Sequence, residues 1–160
     1  MKITDLEIGG FGVWKGLNLN DLSGKLTIIY GCNEAGKTTL MQFVRSALYG
    51  LQEQRRARYL PPVYGGRPGG ALRLKHRLGE FRLQRYLSHK GSGIDREEIG
   101  VTDSEGRVQP DNFLEKLLSG IDEAIFTNVF AIGLRELQEL GALNDSDAAQ
   151  HLYAVAGGVD

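Results

Sequence analysis

The sequence predicts an α/β fold with a mixed β-sheet to which an antiparallel β-hairpin region is added. Three observations predict it. Residues 25–50 read as strand, glycine-bounded loop and helix in unbroken succession. Residues 71–88 alternate apolar and polar with a period of two. Residues 111–156 carry short apolar runs at helical spacing, with capping residues at Asp111, Asp122 and Asp145 or Ser146, around a short strand at Val129–Ile132.

Residues 1–8 read as a strand, although Ile3, Leu6 and Ile8 do not keep strict alternation. Gly9, Gly10 and Gly12 bracket Phe11 in a turn. Leu17 and Leu19 alternate in a second strand, and Ser23-Gly24 turns the chain again. Leu26, Ile28, Ile29 and Tyr30 read as a short buried strand. Gly31-x-x-x-x-Gly36-Lys37-Thr38 follows, the full Walker A pattern. Leu40, Phe43, Val44, Ala47 and Leu48 then line one face of a helix, and Gly50 stands where a C′ glycine ends it.

Each residue type in the loop suits a bound triphosphate, which needs many donors and little bulk. Gly31 and Gly36 let the backbone wrap closely. Amides of residues 33–38 would point inward, and the helix N-terminus adds partial positive charge. Lys37 can reach the β- and γ-phosphates, and the Thr38 hydroxyl can ligate Mg²⁺. The candidate ligand-binding residues are Gly31, Asn33, Glu34, Ala35, Gly36, Lys37, Thr38 and Thr39.

Pro61-Pro62 and Gly65, Gly66, Gly69 and Gly70 exclude regular structure from residues 51–70. Arg55, Arg56, Arg58 and Arg67 make this a solvated basic loop. The period-two runs ALRLKHRL and FRLQRYLS are joined by Gly79-Glu80, which suits a type II′ turn. That register pairs Leu78 with Phe81, Arg77 with Arg82, Lys75 with Gln84 and Arg73 with Tyr86. One face holds Leu72, Leu74, Leu78, Phe81, Leu83 and Leu87, with His76 as a structural histidine among them. The other holds Arg73, Lys75, Arg77, Arg82, Gln84 and Tyr86.

Charge is strongly segregated. Residues 55–90 hold 10 basic residues and 1 acid, whereas residues 91–160 hold 4 basic residues and 14 acids. Like charges facing each other are unfavourable, so Arg77 opposite Arg82 asks for an anion. An acid from residues 91–160 is favoured slightly over a nucleic-acid phosphate. Arg73, Lys75, Arg77 and Arg82 are the candidate DNA-binding residues.

Ile99–Thr102 and Arg107–Gln109 suggest a short hairpin around Asp103-Ser104-Glu105-Gly106. Asp111 caps a helix carrying Phe113, Leu114, Leu117 and Leu118, closed by Gly120. Asp122 caps a turn over Glu123–Thr127. Val129, Phe130 and Ile132 read as a buried strand, and Leu134, Leu137 and Leu140 as a brief helical face. Asp145 or Ser146 caps a last helix with Ala149, Leu152, Tyr153 and Ala156.

Asn33-Glu34-Ala35-Gly36-Lys37 resembles the phosphate loop of SMC, RecF and SbcC-type P-loop ATPases, and MKITDLEIGGFGVWKGLNL is similar to their opening strands. FTNVFAIGLRELQELG looks most like the YhaN-like branch of AAA ATPases related to the double-strand-break repair ATPase. The resemblance implies an ABC/SMC-like P-loop NTPase head, of which residues 1–160 would be the N-terminal lobe. Its parts are a nucleotide-binding core (1–54), a basic loop and hairpin region (55–110), and helices and a strand (111–160) leading toward a coiled coil outside the chain. It implies ATP and Mg²⁺ as ligands, with Lys37 catalytic and Phe11 and Gly12 beside the adenine; an ordinary core role for Phe11 is equally open. It also implies a glutamine holding Mg²⁺ after the strand Asn128–Ile132. That position falls near Gly133 or Leu134, so Gln138, the nearest glutamine, is the candidate. Cys32 stands where these relatives often have proline, and Thr38 where they often have serine.

Phosphoryl transfer needs a second acidic Mg²⁺ ligand and a group orienting water. No apolar strand ending in Asp-Glu occurs here, and Leu118-Ser119-Gly120 sits at a helix end rather than opening one, so it is not the signature motif. The resemblance places both in a C-terminal half of the head. The expectation is a chain that binds ATP without turning it over alone, acting in DNA repair or maintenance. Its partners would be that C-terminal half, a homodimeric second head, DNA and a nuclease subunit. The alternatives are a non-catalytic nucleotide-dependent protein-interaction module and, disfavoured by the basic hairpin, a small P-loop kinase. One cysteine rules out an intrachain disulfide and suits a reducing cytosol. No 18-residue apolar run or export signal occurs, so the expected location is cytoplasmic.

Overall fold

The structure, a computed structural model, describes residues 1–90 and 94–131. They fall into two units, Met1–Gly120 and the residues from Ile121 onward.

The first unit is α/β and built on five strands: β1 (Lys2–Phe11), β2 (Trp14–Leu19), β3 (Gly69–His76), β4 (Gly79–Lys90) and β5 (Ile94–Asp103). Their order is β2-β1-β3-β4-β5, and every pairing is antiparallel. The expected mixed sheet is therefore not found among the described residues. The expected hairpin, β3–β4, is the centre of the sheet rather than an addition to it. Helix α1 (Lys37–Tyr49) lies between β2 and β3 in sequence, yet the chain returns to pair β3 antiparallel with β1.

Strand β1 lacks strict alternation because its pairing with β3 shifts register between Ile3 and Asp5 and again between Ile8 and Gly10. The second shift changes the side-chain parity, so Phe11 joins Leu6 and Ile8 in the core. Helix α1 packs on β1, β3 and β4 through Leu40, Phe43, Ala47 and Leu48, all buried. Gly50 ends it as expected, at φ 99° with its N–H donated to Ser46 O at 2.9 Å. Leu72, Leu74 and Leu83 complete the core at 0–1% exposure, each contributing about 2 kcal/mol of apolar burial.

The hairpin register differs from expectation. The turn is Arg77-Leu78, flanked by His76 opposite Gly79, not Gly79-Glu80. Leu74 thus faces Phe81, Leu72 faces Leu83, and Arg73 rather than Arg77 faces Arg82. The observed register sets apolar residues directly opposite one another. The expected one would have put Leu74 opposite Arg85, which is buried. The slip is even, so both faces keep their residues, except that Arg77 and Leu78 are now in the turn and exposed. His76 Nδ1 accepts the Leu78 N–H at 3.2 Å, a structural role. Partial burial lowers its pKa, helped by the N-terminal amine and Arg77.

Residues 51–70 are not wholly irregular. Glu53–Tyr59 form helix α2, with Arg55 buried rather than solvated. Gly69 and Gly70 lie inside β3, where the chain is too close-packed for a side chain. A Cβ on Gly70 would stand 2.7 Å from Phe43 Cζ and collide with the Glu7 carbonyl. The 102–108 hairpin forms through a bridge between Thr102 and Val108. Helix α3 (Phe113–Leu118) follows, with Asn112 rather than Asp111 at its N-cap position and no side-chain capping bond, and its Phe113 ring lies 5.0 Å from that of Phe81.

In the second unit Asp122 caps as expected, accepting the Ile125 N–H at 2.7 Å. Helix α4 (Glu123–Ile125) runs into a π-helical turn, Phe126–Phe130. The expected buried strand at Val129 and Phe130 is thus helical, and both side chains are exposed. The cap at Asp122 starts helical pairing, and the Ala131 N–H to Phe126 O bond carries it to the end of the segment. Ile132, Leu134, Leu137, Gln138, Leu140 and the helix expected at 145–156 lie outside the described residues.

Candidate functional site

The Gly31–Thr38 loop is curled. Glu34 and Gly36 take left-handed backbone angles, φ 67° and 87°, and the Ala35 N–H bonds Cys32 O at 3.2 Å. A Cβ on Gly31 would lie 3.3 Å from that of Ala35, so the loop closes on itself. The Lys37 ammonium folds back across it, donating to Gly31 O and Cys32 O at 2.7 Å each. Two of its three donors are thus held by backbone carbonyls. The loop residues Gly31–Ala35 are exposed, as are Lys37 and Thr38 in the first turn of α1. Curled backbone, an ammonium at its mouth and the N-terminus of a 13-residue helix make an arrangement chemically suited to a polyanion.

The strand expected before the loop is not formed. Leu26, Ile28, Ile29 and Tyr30 are 49–91% exposed. Among the described residues no strand pairs with this run, so its backbone has no ladder. Ile29 borders an apolar cleft of about 290 Å³ lined also by Leu6, Leu19, Leu22, Leu40 and Lys37.

Phe11 takes its core reading. It is fully buried, its ring stacked on Tyr59 at 4.9 Å and edge-on to Phe43 at 5.6 Å, out of reach of a base. Gly12 has φ 55°, and a Cβ there would sit 2.7 Å from the Thr39 methyl. Thr39 therefore packs on the β1–β2 turn. Trp14, given no site role by the sequence, donates its indole N–H to Gly36 O at 3.1 Å. It is the chain's one tryptophan, two residues past Gly12, which was the available signal.

Of the candidate DNA-binding residues, Arg73, Lys75 and Arg82 line a cleft of about 600 Å³ on the polar sheet face together with Asp5, Asp21 and Asp103, whereas Arg77 lies in the β3–β4 turn. Arg82 pairs with Glu7 at 2.6 Å, and Lys75 with Glu80 at 3.3 Å. The anion meeting Arg82 thus comes from β1, not from residues 91–160. That acidic segment pairs instead with Arg85, through Glu97 at 2.6 Å, and with Arg67, through Glu98 at 3.4 Å. Arg73 and Arg77 are exposed and form no ion pair among the described residues.

Among the described residues no helix is long and apolar enough to cross a membrane, and no cluster of His, Cys, Asp and Glu is arranged to hold a metal ion.

Comparison with known proteins gives the family. A family model described as an AAA domain matches residues 1–160. The uncharacterized protein YhaN of Bacillus subtilis is 29% identical over 153 residues, which cover 95% of this chain and 15% of YhaN. A shorter similarity, 30% identity over 97 residues, covers 58% of this chain and 18% of an L-aspartate oxidase from Acinetobacter baylyi. The chain thus spans less than a fifth of either relative. The resemblance read from the sequence is borne out at the level of the family: the chain belongs to the AAA domain family.

Proposed function

We propose that this chain binds Mg²⁺-ATP in the Gly31–Thr38 loop, as the N-terminal part of an SMC-like ATPase head. The observation that carries the reading is the Lys37 ammonium, 2.7 Å from two carbonyls at the mouth of a curled loop opening a long helix. A bound triphosphate would take over that ammonium, while the amides of residues 33–38 and the first turn of α1 receive its oxygens. Thr38 is the Mg²⁺ ligand of this reading and Lys37 its phosphate-stabilising residue. Asn33, Glu34, Ala35 and Thr39 belong to the cradle through their backbone.

Hydrolysis in this reading needs a second acidic ligand and a signature segment from a C-terminal half of the head, with ATP held between two heads. The exposed apolar run Leu26–Tyr30, without a strand partner among the described residues, supports an added strand of that kind. A role in DNA repair or maintenance, with DNA and a nuclease as partners in the cytoplasm, follows from the family resemblance. Exposed Arg73 and Arg77 support the DNA part of it.

Titration with Mg²⁺-ATP tests the reading. Saturable binding is expected for this chain, weakened about a hundredfold or more by Lys37→Ala, which removes a charge-assisted contact. Turnover is expected only with the C-terminal half present. Undiminished binding by Lys37→Ala, or none by the unaltered chain, defeats it.

A further inference from the structure

The β1–β2 turn reaches the phosphate loop at one point. Gly36 holds φ 87° and ψ 12°, immediately before Lys37. A Cβ on Gly36 would fall 2.8 Å from Val13 Cγ2 and 2.9 Å from Trp14 Cε2 and Cζ2, so the indole lies directly against this glycine. Gly36 O accepts two hydrogen bonds, from Leu40 N–H at 3.0 Å and from Trp14 Nε1–H at 3.1 Å. Trp14 is itself fixed, since it opens β2 opposite the fully buried Phe11.

Peptide geometry turns this contact into a functional one. The Gly36–Lys37 peptide is planar and trans, so its C=O and N–H point in opposite directions. With the carbonyl drawn along α1 toward Leu40 and the indole, the Lys37 N–H must project from the helix N-terminus toward the loop. Leu40 alone fixes the carbonyl loosely, because a first-turn bond frays and glycine resists rotation weakly. The indole N–H, which can only donate, supplies the second restraint.

We infer that Trp14 is a positioning residue for the phosphate loop: its hydrogen bond to Gly36 O aims the Lys37 amide at a bound phosphate. The inference rests on the nucleotide reading above and extends it to a residue outside the Walker A pattern. Trp14 itself touches no ligand in this account.

The test uses the full-length protein, its Trp14→Phe variant, and the same protein carrying 3-benzothienylalanine at position 14. The last keeps the bicyclic ring and replaces only the indole N–H by sulfur, so it stays informative if Trp14→Phe folds poorly. Calorimetry gives affinities for Mg²⁺-ATP and for Mg²⁺-pyrophosphate, with the thermal midpoint checking the fold. Loss of one neutral hydrogen bond is expected to weaken both ligands by the same factor, about fivefold, with the cooperative transition kept and its midpoint lowered by only about 2–4 °C. Unaltered affinity in the benzothienyl protein overturns the inference and leaves the nucleotide reading standing. A loss confined to ATP overturns it too, because the indole would then be meeting the base. Wild-type protein that binds neither ligand overturns the nucleotide reading, and this inference with it.

Discussion

Arg82 Nη2 donates to Glu7 Oε2 at 2.6 Å, joining β4 to β1 across the intervening β3. Arg82 also donates to Gln84 Oε1 at 3.1 Å, so the guanidinium is held at two points. Both charged side chains are about one-third exposed, 35% and 32%. Water screens such a pair, and its coupling is expected to be about 0.5–1 kcal/mol. A double-mutant cycle over Glu7→Gln and Arg82→Gln, read by urea denaturation, checks the figure. A coupling of zero would mean the contact contributes no stability.

The same pair predicts how the polar face would meet DNA on the proposed reading. Arg73 and Arg77 form no ion pair among the described residues, although Asp5 stands opposite Arg73 across β1 and β3. Replacing either by glutamine is expected to lower the salt dependence of DNA binding by about one counterion. Arg82→Gln is expected to change it far less, because Glu7 already offsets that charge. Equal losses at all three positions would contradict the internal pairing. The measurement is the slope of log affinity against log salt for a short duplex.

Gly70→Ala is expected to be among the most damaging small substitutions in the sheet. The added methyl meets the Glu7 carbonyl and the Phe43 ring together, and neither strand nor helix core can recede without loss elsewhere. Overpacking of this kind costs about 1–3 kcal/mol or more. Chemical denaturation of the variant checks it. Gly106→Ala meets no neighbouring atom but places alanine at φ 81°, so it reads the backbone cost alone, and a smaller loss is expected there.

Asp103 predicts a pH dependence. Its carboxylate accepts the Arg107 side chain at 2.8 Å and the backbone N–H groups of Glu105 and Arg107. The Arg107 hydrogen bond, aided by these amides, holds its pKa below the ordinary 3.8. The folded value is the lower one. This stabilisation is therefore complete above the unfolded value and is lost as pH falls through the folded one. Carboxyl NMR titration is expected to show a depressed midpoint, returning toward the ordinary value in Arg107→Ala. A midpoint unmoved by that change would sink the assignment.

The fold was legible where a pattern reports on one element alone. Helix α1 announced itself through Leu40, Phe43, Ala47 and Leu48, and its end through Gly50. The faces of β3 and β4 were legible for the same reason, since parity depends only on alternation. Register was not, because a period-two pattern looks identical after an even slip, and only the burial of Arg85 and the glycines at 69 and 70 distinguish the two. The apolar character of Leu26–Tyr30 says that the segment can be covered, not by what. Segment 126–130 departs from the strand expectation because Val129 and Phe130 favour strands in isolation, whereas the cap at Asp122 commits the chain to helix. In the loop, the glycines and Lys37 were legible from spacing, while Trp14 acts through a contact 22 residues away.

Glu97 divides its carboxylate between two tasks: one oxygen takes the Leu51 N–H at 2.9 Å, the other Arg85 Nη1 at 2.6 Å, while Arg85 Nε reaches Ala47 O at 3.0 Å. Strand β5, which carries Glu97, is one of the two edge strands of the sheet among the described residues and a natural place for fraying to begin. Peeling it away would release the tail of α1 in the same event. Hydrogen exchange at Ala47–Leu51 should therefore keep time with exchange along β5, linking the rim of the sheet to the helix that begins at the phosphate loop.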